Sequence, residues 1–125
     1  MQTTLTAIAL LLALSQPATH LSIQPWTGTD LQTTSADAAK YRLEVSGKPN
    51  STIRLQARGV ADGWLAAFCT ARVCAPQRVD VDLPRSGEAV FQFELIRESN
   101  TGPKQSGATI TGDDGASVTV PTAYR

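Results

Sequence analysis

The sequence is poor in the residues that most often carry enzyme chemistry. It has one histidine, His20, and two cysteines in 125 residues. Nucleophilic catalysis needs a base beside Ser or Cys, and zinc needs more ligands than this chain offers together. The glycines occur singly at turns, without the cluster that cradles a phosphate. These shortages predict a protein with no catalytic residues, no metal site and no cofactor.

An excess of charge of either sign is also missing. Lys plus Arg and Asp plus Glu number 11 each. Surfaces that bind nucleic acids need excess positive charge to displace counterions from phosphates. Polybasic runs hold proteins on anionic membranes, and the chain has no such run. The sequence therefore predicts a partner other than a nucleic acid.

No apolar run is long enough to span a bilayer, which needs about 20 residues. The longest is Leu5–Leu14, LTAIALLLAL, which is typical of the apolar core of a secretory signal peptide. We expect residues 1–18 to be this signal, with cleavage after Ser15 or after Ala18. No Lys or Arg precedes the run, so a buried first strand or helix is the alternative. The predicted location is secreted or periplasmic, without a membrane span in the mature protein.

The two cysteines, Cys69 and Cys74, fit this compartment. They lie in FCTARVCAP, and an oxidising space closes such a pair into a disulfide. The loop is short, so its entropic contribution is modest, on the order of 2 kcal/mol. We expect a local clip on a hairpin or bulge. A redox pair usually has two residues between its cysteines whereas this one has four, so a redox role or free thiols are weaker alternatives.

Alternation of apolar and polar residues predicts an all-β fold. After the signal, residues 19–40 form a polar segment with one short strand, Leu21–Gln24, and residues 41–125 form the domain. Period-two patterning and Gly, Pro and Asp turns give about seven strands with no amphipathic helix, the signature of an antiparallel sandwich. The predicted strands are Tyr41–Val45, Thr52–Ala57, Trp64–Cys69, Val79–Leu83, Ala89–Glu98, Ala108–Thr111 and Ser117–Val120.

The order of these features resembles a known group of modules. Gly63-Trp64 opens a short strand, and the turn Pro84-Arg85-Ser86-Gly87-Glu88 precedes the longest one. Between residues 41 and 111 the chain is similar to bacterial secreted immunoglobulin-like or fibronectin-like β-sandwich modules, which accompany carbohydrate-active enzymes and surface proteins. The resemblance implies an immunoglobulin-like sandwich used as a spacer, adhesive or accessory module. It transfers no catalytic residues, and the CTARVC insert is not general in such modules.

Two groups of carboxylates were candidates for chemistry. Asp80 and Asp82 lie on one face of a strand, where paired carboxylates could act as acid and base. The apolar residues between them mark that face as the solvated one, which favours an ordinary charged surface. Asp113-Asp114-Gly115 could give oxygens to Ca²⁺, but the chain has no further acidic residues nearby, so a plain turn is favoured.

The two tryptophans are the best candidates for ligand or partner contact. Exposed Trp rings stack on sugars and anchor protein interfaces. Trp64 shares a face with Ala66 and Phe68, which favours the core, whereas Trp26 follows Pro25 in a polar stretch. We expect a non-enzymatic exported protein that acts in binding or assembly, with a protein partner or a surface polysaccharide. A carbohydrate-contacting accessory module is the alternative, and a small secreted enzyme is disfavoured.

Overall fold

The computed structural model describes residues 18–27, 38–70 and 72–125. The predicted signal peptide lies outside these residues, apart from Ala18. None of the described residues forms a helix with the length and apolarity that crossing a bilayer requires. The described chain is built from β-strands, as the alternating pattern predicts.

The described residues form nine strands in two antiparallel sheets. One sheet has five strands in the order β1-β2-β7-β4-β5, and the other has four in the order β6-β3-β8-β9. The all-β sandwich is therefore confirmed. The strands are β1 His20–Pro25, β2 Ala38–Ser46, β3 Thr52–Arg58, β4 Trp64–Cys69, β5 Cys74–Pro76, β6 Arg78–Asp82, β7 Glu88–Arg97, β8 Gln105–Gly112 and β9 Ser117–Tyr124.

The predicted count of about seven strands is too low. The additional strands are β5, which has three residues, and β1, expected only as a short strand within the polar segment. Three residues are too few to show period-two patterning, so the sequence gives no signal for β5. β1 pairs with β2 along its whole length, from His20 opposite Ser46 to Pro25 opposite Tyr41. It is a full member of the five-stranded sheet.

Alternating apolar residues from both sheets fill the core. Phe93 of β7 is fully buried at its centre and contacts the rings of Tyr41 and Phe68, with centroids 6.2 and 5.1 Å away. Leu55 and Ile110 of the four-stranded sheet are also fully buried. Burial of one face of each sheet accounts for the alternation seen in the sequence.

Two hydrogen bonds tie the N-terminal part of the domain to β9 and the turn before it. The Tyr41 hydroxyl donates to the Pro121 carbonyl at 2.7 Å, which joins β2 of one sheet to β9 of the other. The Thr19 amide donates to Asp114 Oδ2 at 2.9 Å in the β8–β9 turn. β1 and β9 are edge strands of different sheets, and these bonds hold the sheets together on that side.

Candidate functional site

A cleft opens at one end of the sandwich, where β1 and β2 approach β9. Its volume is about 350 Å³, within the range of about 300–1,000 Å³ that is usual for ligand sites. We call it the aromatic cleft. It is lined by Pro25, Ala39, Lys40, Tyr41 and residues 121–125.

Two prolines shape the edges of the aromatic cleft. Pro25 ends β1, and Pro121 lies within β9. Proline has no N–H to give to a sheet, so it is confined to edge strands, strand ends and bulges. β9 pairs with β8 on one side only. These edges border the cleft and present mixed apolar and polar side chains around it.

The cleft contains one exposed and one buried tyrosine. Tyr124 is 66% exposed, whereas Tyr41 is 5% exposed and bonded to Pro121. Burial raises the pKa of Tyr41, and the positive charge of Arg125 opposes part of that rise. Arg125 is itself held by a hydrogen bond from Nη2 to the Ala38 carbonyl at 2.9 Å. Tyr41 therefore acts as a wall of the cleft, while Tyr124 is free to be covered by a ligand.

The structure separates the two tryptophans. Trp26 is half-buried next to Pro25, and its amide donates to the Lys40 carbonyl at 3.0 Å, so it lies beside the aromatic cleft. Trp64 is 7% exposed in the core, and its Nε1 donates to the Pro103 carbonyl at 2.7 Å. Trp64 therefore occupies the core position that its shared face with Ala66 and Phe68 favoured, and its buried ring offers little surface to a ligand. Trp26 remains a candidate.

A second candidate region is the outer face of the five-stranded sheet. The strand register places Arg42 opposite Gln92, Gln92 opposite Cys69, and Cys69 opposite Cys74. In the next row, Glu94 lies between Lys40 and Ala67. The side chains of Gln92 and Glu94 point away from the core by alternation with Phe93 and Leu95. Both are nevertheless fully buried.

The predicted disulfide is confirmed, and a buried carboxylate lies against it. Cys69 and Cys74 are bonded across β4 and β5, with their Cα atoms 4.0 Å apart. Glu94 Oε2 lies 3.6 Å from Cys69 Sγ, and Glu94 Oε1 accepts a hydrogen bond of 2.9 Å from Gln92 Nε2. The bonded sulfur has no proton, so the Glu94–Cys69 contact is not a hydrogen bond in the oxidised protein. Sequence reasoning missed Glu94, because alternation alone places it among exposed residues.

Among the described residues, the group that most resembles a metal-binding set consists of Cys69, Cys74 and Glu94. Single ligand atoms of Cys69, Cys74 and Glu94 lie within 4.8 Å of one another. Thiolates are the form of cysteine that binds metals. With the sulfurs bonded to each other, the set offers one carboxylate and no thiolate.

A smaller cleft of about 200 Å³ lies on the same outer face. It brings His20 together with Ser22, Ser46, Glu44 and Arg42. His20 is the first residue of β1. Within residues 18–27, 38–70 and 72–125, no hydrogen bond joins its ring to either serine.

The acidic candidates are held by structural contacts. Asp80 pairs with Arg54 at 2.9 Å, which lowers the pKa of Asp80, and Asp82 accepts a hydrogen bond from Thr52 at 2.8 Å. Both carboxylates belong to exposed residues of β6. Asp114 also serves the fold, through its bond from Thr19. Each therefore acts as an ordinary surface or turn residue.

Comparison with known proteins gives a relationship at the level of the fold. No family model and no curated protein matches the chain. The chain is similar in structure to a FixG-related protein from Vibrio parahaemolyticus, with a TM-score of 0.52 and 9% sequence identity. The alignment covers 86% of this chain and 96% of that one. At this identity the likeness shows a shared all-β fold.

Proposed function

We propose that the protein is an exported, non-enzymatic immunoglobulin-like module that binds a protein partner through the aromatic cleft. The observation that carries the proposal is the exposed Tyr124 together with Arg125 at a cleft of about 350 Å³. Trp26 follows Pro25, another residue of the cleft lining. Tyr, Trp and Arg are the residue types most enriched among those that dominate binding energy at protein interfaces. The disulfide is compatible with export to an oxidising compartment.

The strand order supports an immunoglobulin-like assignment. In the constant-type fold, strands A, B, E and D form one sheet and C, F and G the other. If β1, β2, β3, β4, β7, β8 and β9 are taken as A to G, the two observed sheets have this order. β5 and β6 are then two additional strands between D and E. In variable domains of this fold the B–C and F–G binding loops cluster at one end of the sandwich, whereas the aromatic cleft opens at the opposite end, beside the start of β2 and the end of β9.

The composition of the aromatic cleft favours a protein partner. An interface needs a core that is desolvated on binding, surrounded by a polar rim. Tyr124 offers a large ring that a partner could cover, with Lys40, Thr122 and Arg125 around it. Arg125 is already held by the Ala38 carbonyl, and a fixed side chain loses less entropy on binding than a mobile one.

Site-specific photocrosslinking tests this proposal. A photoreactive phenylalanine analogue would replace Tyr124 in cells that export the protein, and the control would carry it at Val73, which is 60% exposed on the β4–β5 hairpin. We expect a discrete adduct with one protein at position 124, and none at position 73. An absence of adducts at 124, or the same adducts at both positions, would contradict the proposed contact surface.

A carbohydrate ligand is the second candidate, and the half-buried Trp26 beside the cleft is the observation that favours it. Aromatic faces stack on sugar rings, and polar neighbours such as Lys40 and Thr122 could bond to their hydroxyls. Titration with soluble polysaccharides would quench Trp26 fluorescence if this candidate is correct. The variant Trp26→Phe, which keeps the buried Trp64 as its only indole, serves as the control and should lose the response. An unchanged signal across a broad glycan panel would exclude stacking on Trp26.

A further inference from the structure

A buried carboxylate, that of Glu94, lies against the disulfide. Ionised carboxylates are costly to bury, so a fully buried one is usually held for a reason. Glu94 is fully buried on the outer face of the five-stranded sheet, and one of its oxygens lies 3.6 Å from Cys69 Sγ. Gln92 donates to the other oxygen and thereby orients the carboxylate toward the sulfur.

The two sulfurs differ in their access to solvent. Cys69 is fully buried between Gln92 and Cys74 in its cross-strand row. Cys74 is half-buried, and it follows the exposed Arg72 and Val73 of the β4–β5 hairpin. A thiol or disulfide approaching from solvent therefore meets Cys74 before Cys69. Glu94 contacts Cys69 Sγ, the sulfur of the more buried cysteine.

We propose that Cys69–Cys74 is a thiol–disulfide exchange site, in which Cys74 exchanges with an external thiol or disulfide and Glu94 serves as the base for Cys69. The proposal does not depend on binding at the aromatic cleft, although the two regions adjoin, since Lys40 lines the cleft and pairs with Glu94 in the register of β2 and β7. Four residues separate these cysteines, so the spacing of common redox motifs gives no indication of this site. The proposed site also requires Glu94, which lies 20 positions after Cys74 in the sequence.

Closure of the disulfide proceeds in two exchange steps. In the reduced protein the Cys74 thiolate attacks a small disulfide RSSR, giving a Cys74–S–S–R mixed disulfide and releasing RS⁻. Cys69 then transfers its proton to the Glu94 carboxylate and attacks Cys74 Sγ, which forms the Cys69–Cys74 bond and releases a second RS⁻. The two cysteines lose two electrons in total, and RSSR gains them. Opening by a dithiol follows the same steps in reverse, with Glu94 returning the proton to Cys69.

The physical need for a base follows from the burial of Cys69. Only the thiolate is nucleophilic, and a thiol buried away from water releases its proton reluctantly. Cys69 Sγ and Glu94 Oε2 lie 3.6 Å apart, which is close enough for direct proton transfer between them. Transfer within this pair forms the thiolate at the moment of attack without bringing water into the sheet.

Kinetics of closure test the role of Glu94. The full exported protein would be reduced, mixed with oxidised glutathione at pH 7, quenched with acid and analysed by mass spectrometry. In wild type we expect the mixed disulfide to be transient. In Glu94→Gln we expect it to accumulate, with closure slowed at least about tenfold, since general bases typically contribute about 10²–10⁴-fold. Glu44→Gln, a change at an exposed carboxylate on the same face, should close at the wild-type rate.

If Glu94→Gln proves unstable, two further measurements test the roles of Glu94 and of the two cysteines. Glu94→Asp keeps a carboxylate and should close faster than Glu94→Gln. In single-cysteine variants, Cys69→Ser should form a stable glutathione adduct on Cys74, whereas Cys74→Ser should react at least about tenfold more slowly through Cys69, because a buried thiol is poorly reactive. Closure of Glu94→Gln at the wild-type rate, or adducts formed first on Cys69, would overturn the proposal.

Discussion

Replacing Tyr41 by phenylalanine removes one hydroxyl at the point where the two sheets are tied together. That hydroxyl donates to the Pro121 carbonyl at 2.7 Å and is the one polar group of a side chain that is 5% exposed. A typical internal hydrogen bond contributes about 0.5–1.5 kcal/mol net. Pro121 is itself exposed, so water can reach its carbonyl in the variant. We therefore expect a loss of about 1 kcal/mol rather than the larger penalty of a buried, unpaired group.

Thermal unfolding monitored by circular dichroism measures this loss. For a domain of this size, 1 kcal/mol corresponds to a fall in Tm of roughly 4–8 °C. Tyr124→Phe is the matched control, because it removes the same hydroxyl from a side chain that is 66% exposed. A Tm within about 1 °C of wild type for Tyr41→Phe would refute the claim that this bond helps to hold β2 and β9 together.

Wild type and Tyr41→Phe should also differ in how their stability depends on pH. Burial raises the pKa of Tyr41 above its ordinary value of 10.0, with partial opposition from Arg125. A raised pKa in the folded state stabilises the protein below pH 10, and this contribution is lost as the pH rises through the folded-state pKa. Wild type should therefore lose stability above about pH 10 more steeply than Tyr41→Phe. Parallel curves for the two proteins would contradict the burial of an ionisable hydroxyl at this position.

Three other predictions follow from separate parts of the fold. Phe93→Ala should cost about 3–5 kcal/mol in urea unfolding, because it leaves a cavity at the centre of the core; a cost below 1 kcal/mol would misplace that centre. Partial burial raises the pKa of Asp114, but hydrogen bonds from Thr19 and Ala116 outweigh this effect and lower the pKa below 3.8. The free energy of unfolding should therefore fall as the pH drops through the pKa of Asp114 in the folded state, and Asp114→Ala should lack this loss in acid. By mass spectrometry, oxidised protein should weigh about 2 Da less than reduced protein, and equal masses would contradict the presence of the disulfide.

The strands with clear alternation were predictable because burial of one sheet face imposes it on the sequence. β2, β3 and β7 were found in this way, with Leu43, Leu55 and Phe93 pointing inward as expected. β8 begins at Gln105, before the predicted start at Ala108, and its first residues are polar or small and so lack the alternation that indicates a strand. Long-range pairing with β9 supplies the order that local composition does not show.

The candidate sites were less predictable than the strands. Trp26 was singled out from its residue type, but Tyr124 was not, since nothing local indicates that the end of β9 meets the end of β1. Alternation places Glu94 on the outer face of its sheet, but it does not indicate whether other residues cover that face. Its contact with Cys69 depends on the pairing of β7 with β4, which is a property of the sheet order. Sites that combine residues from distant strands therefore cannot be predicted from local sequence patterns alone.

The central claim is that the aromatic cleft is the contact surface for a protein partner. Once crosslinking has identified that partner, calorimetric titration with wild type, Tyr124→Ala and Val90→Ala measures the claim directly, since Val90 is an exposed apolar residue on the outer face. We predict at least a roughly 30-fold weaker Kd for Tyr124→Ala, the effect of losing a dominant interface residue of about 2 kcal/mol, and no change for Val90→Ala. Equal affinities for Tyr124→Ala and wild type would contradict the claim.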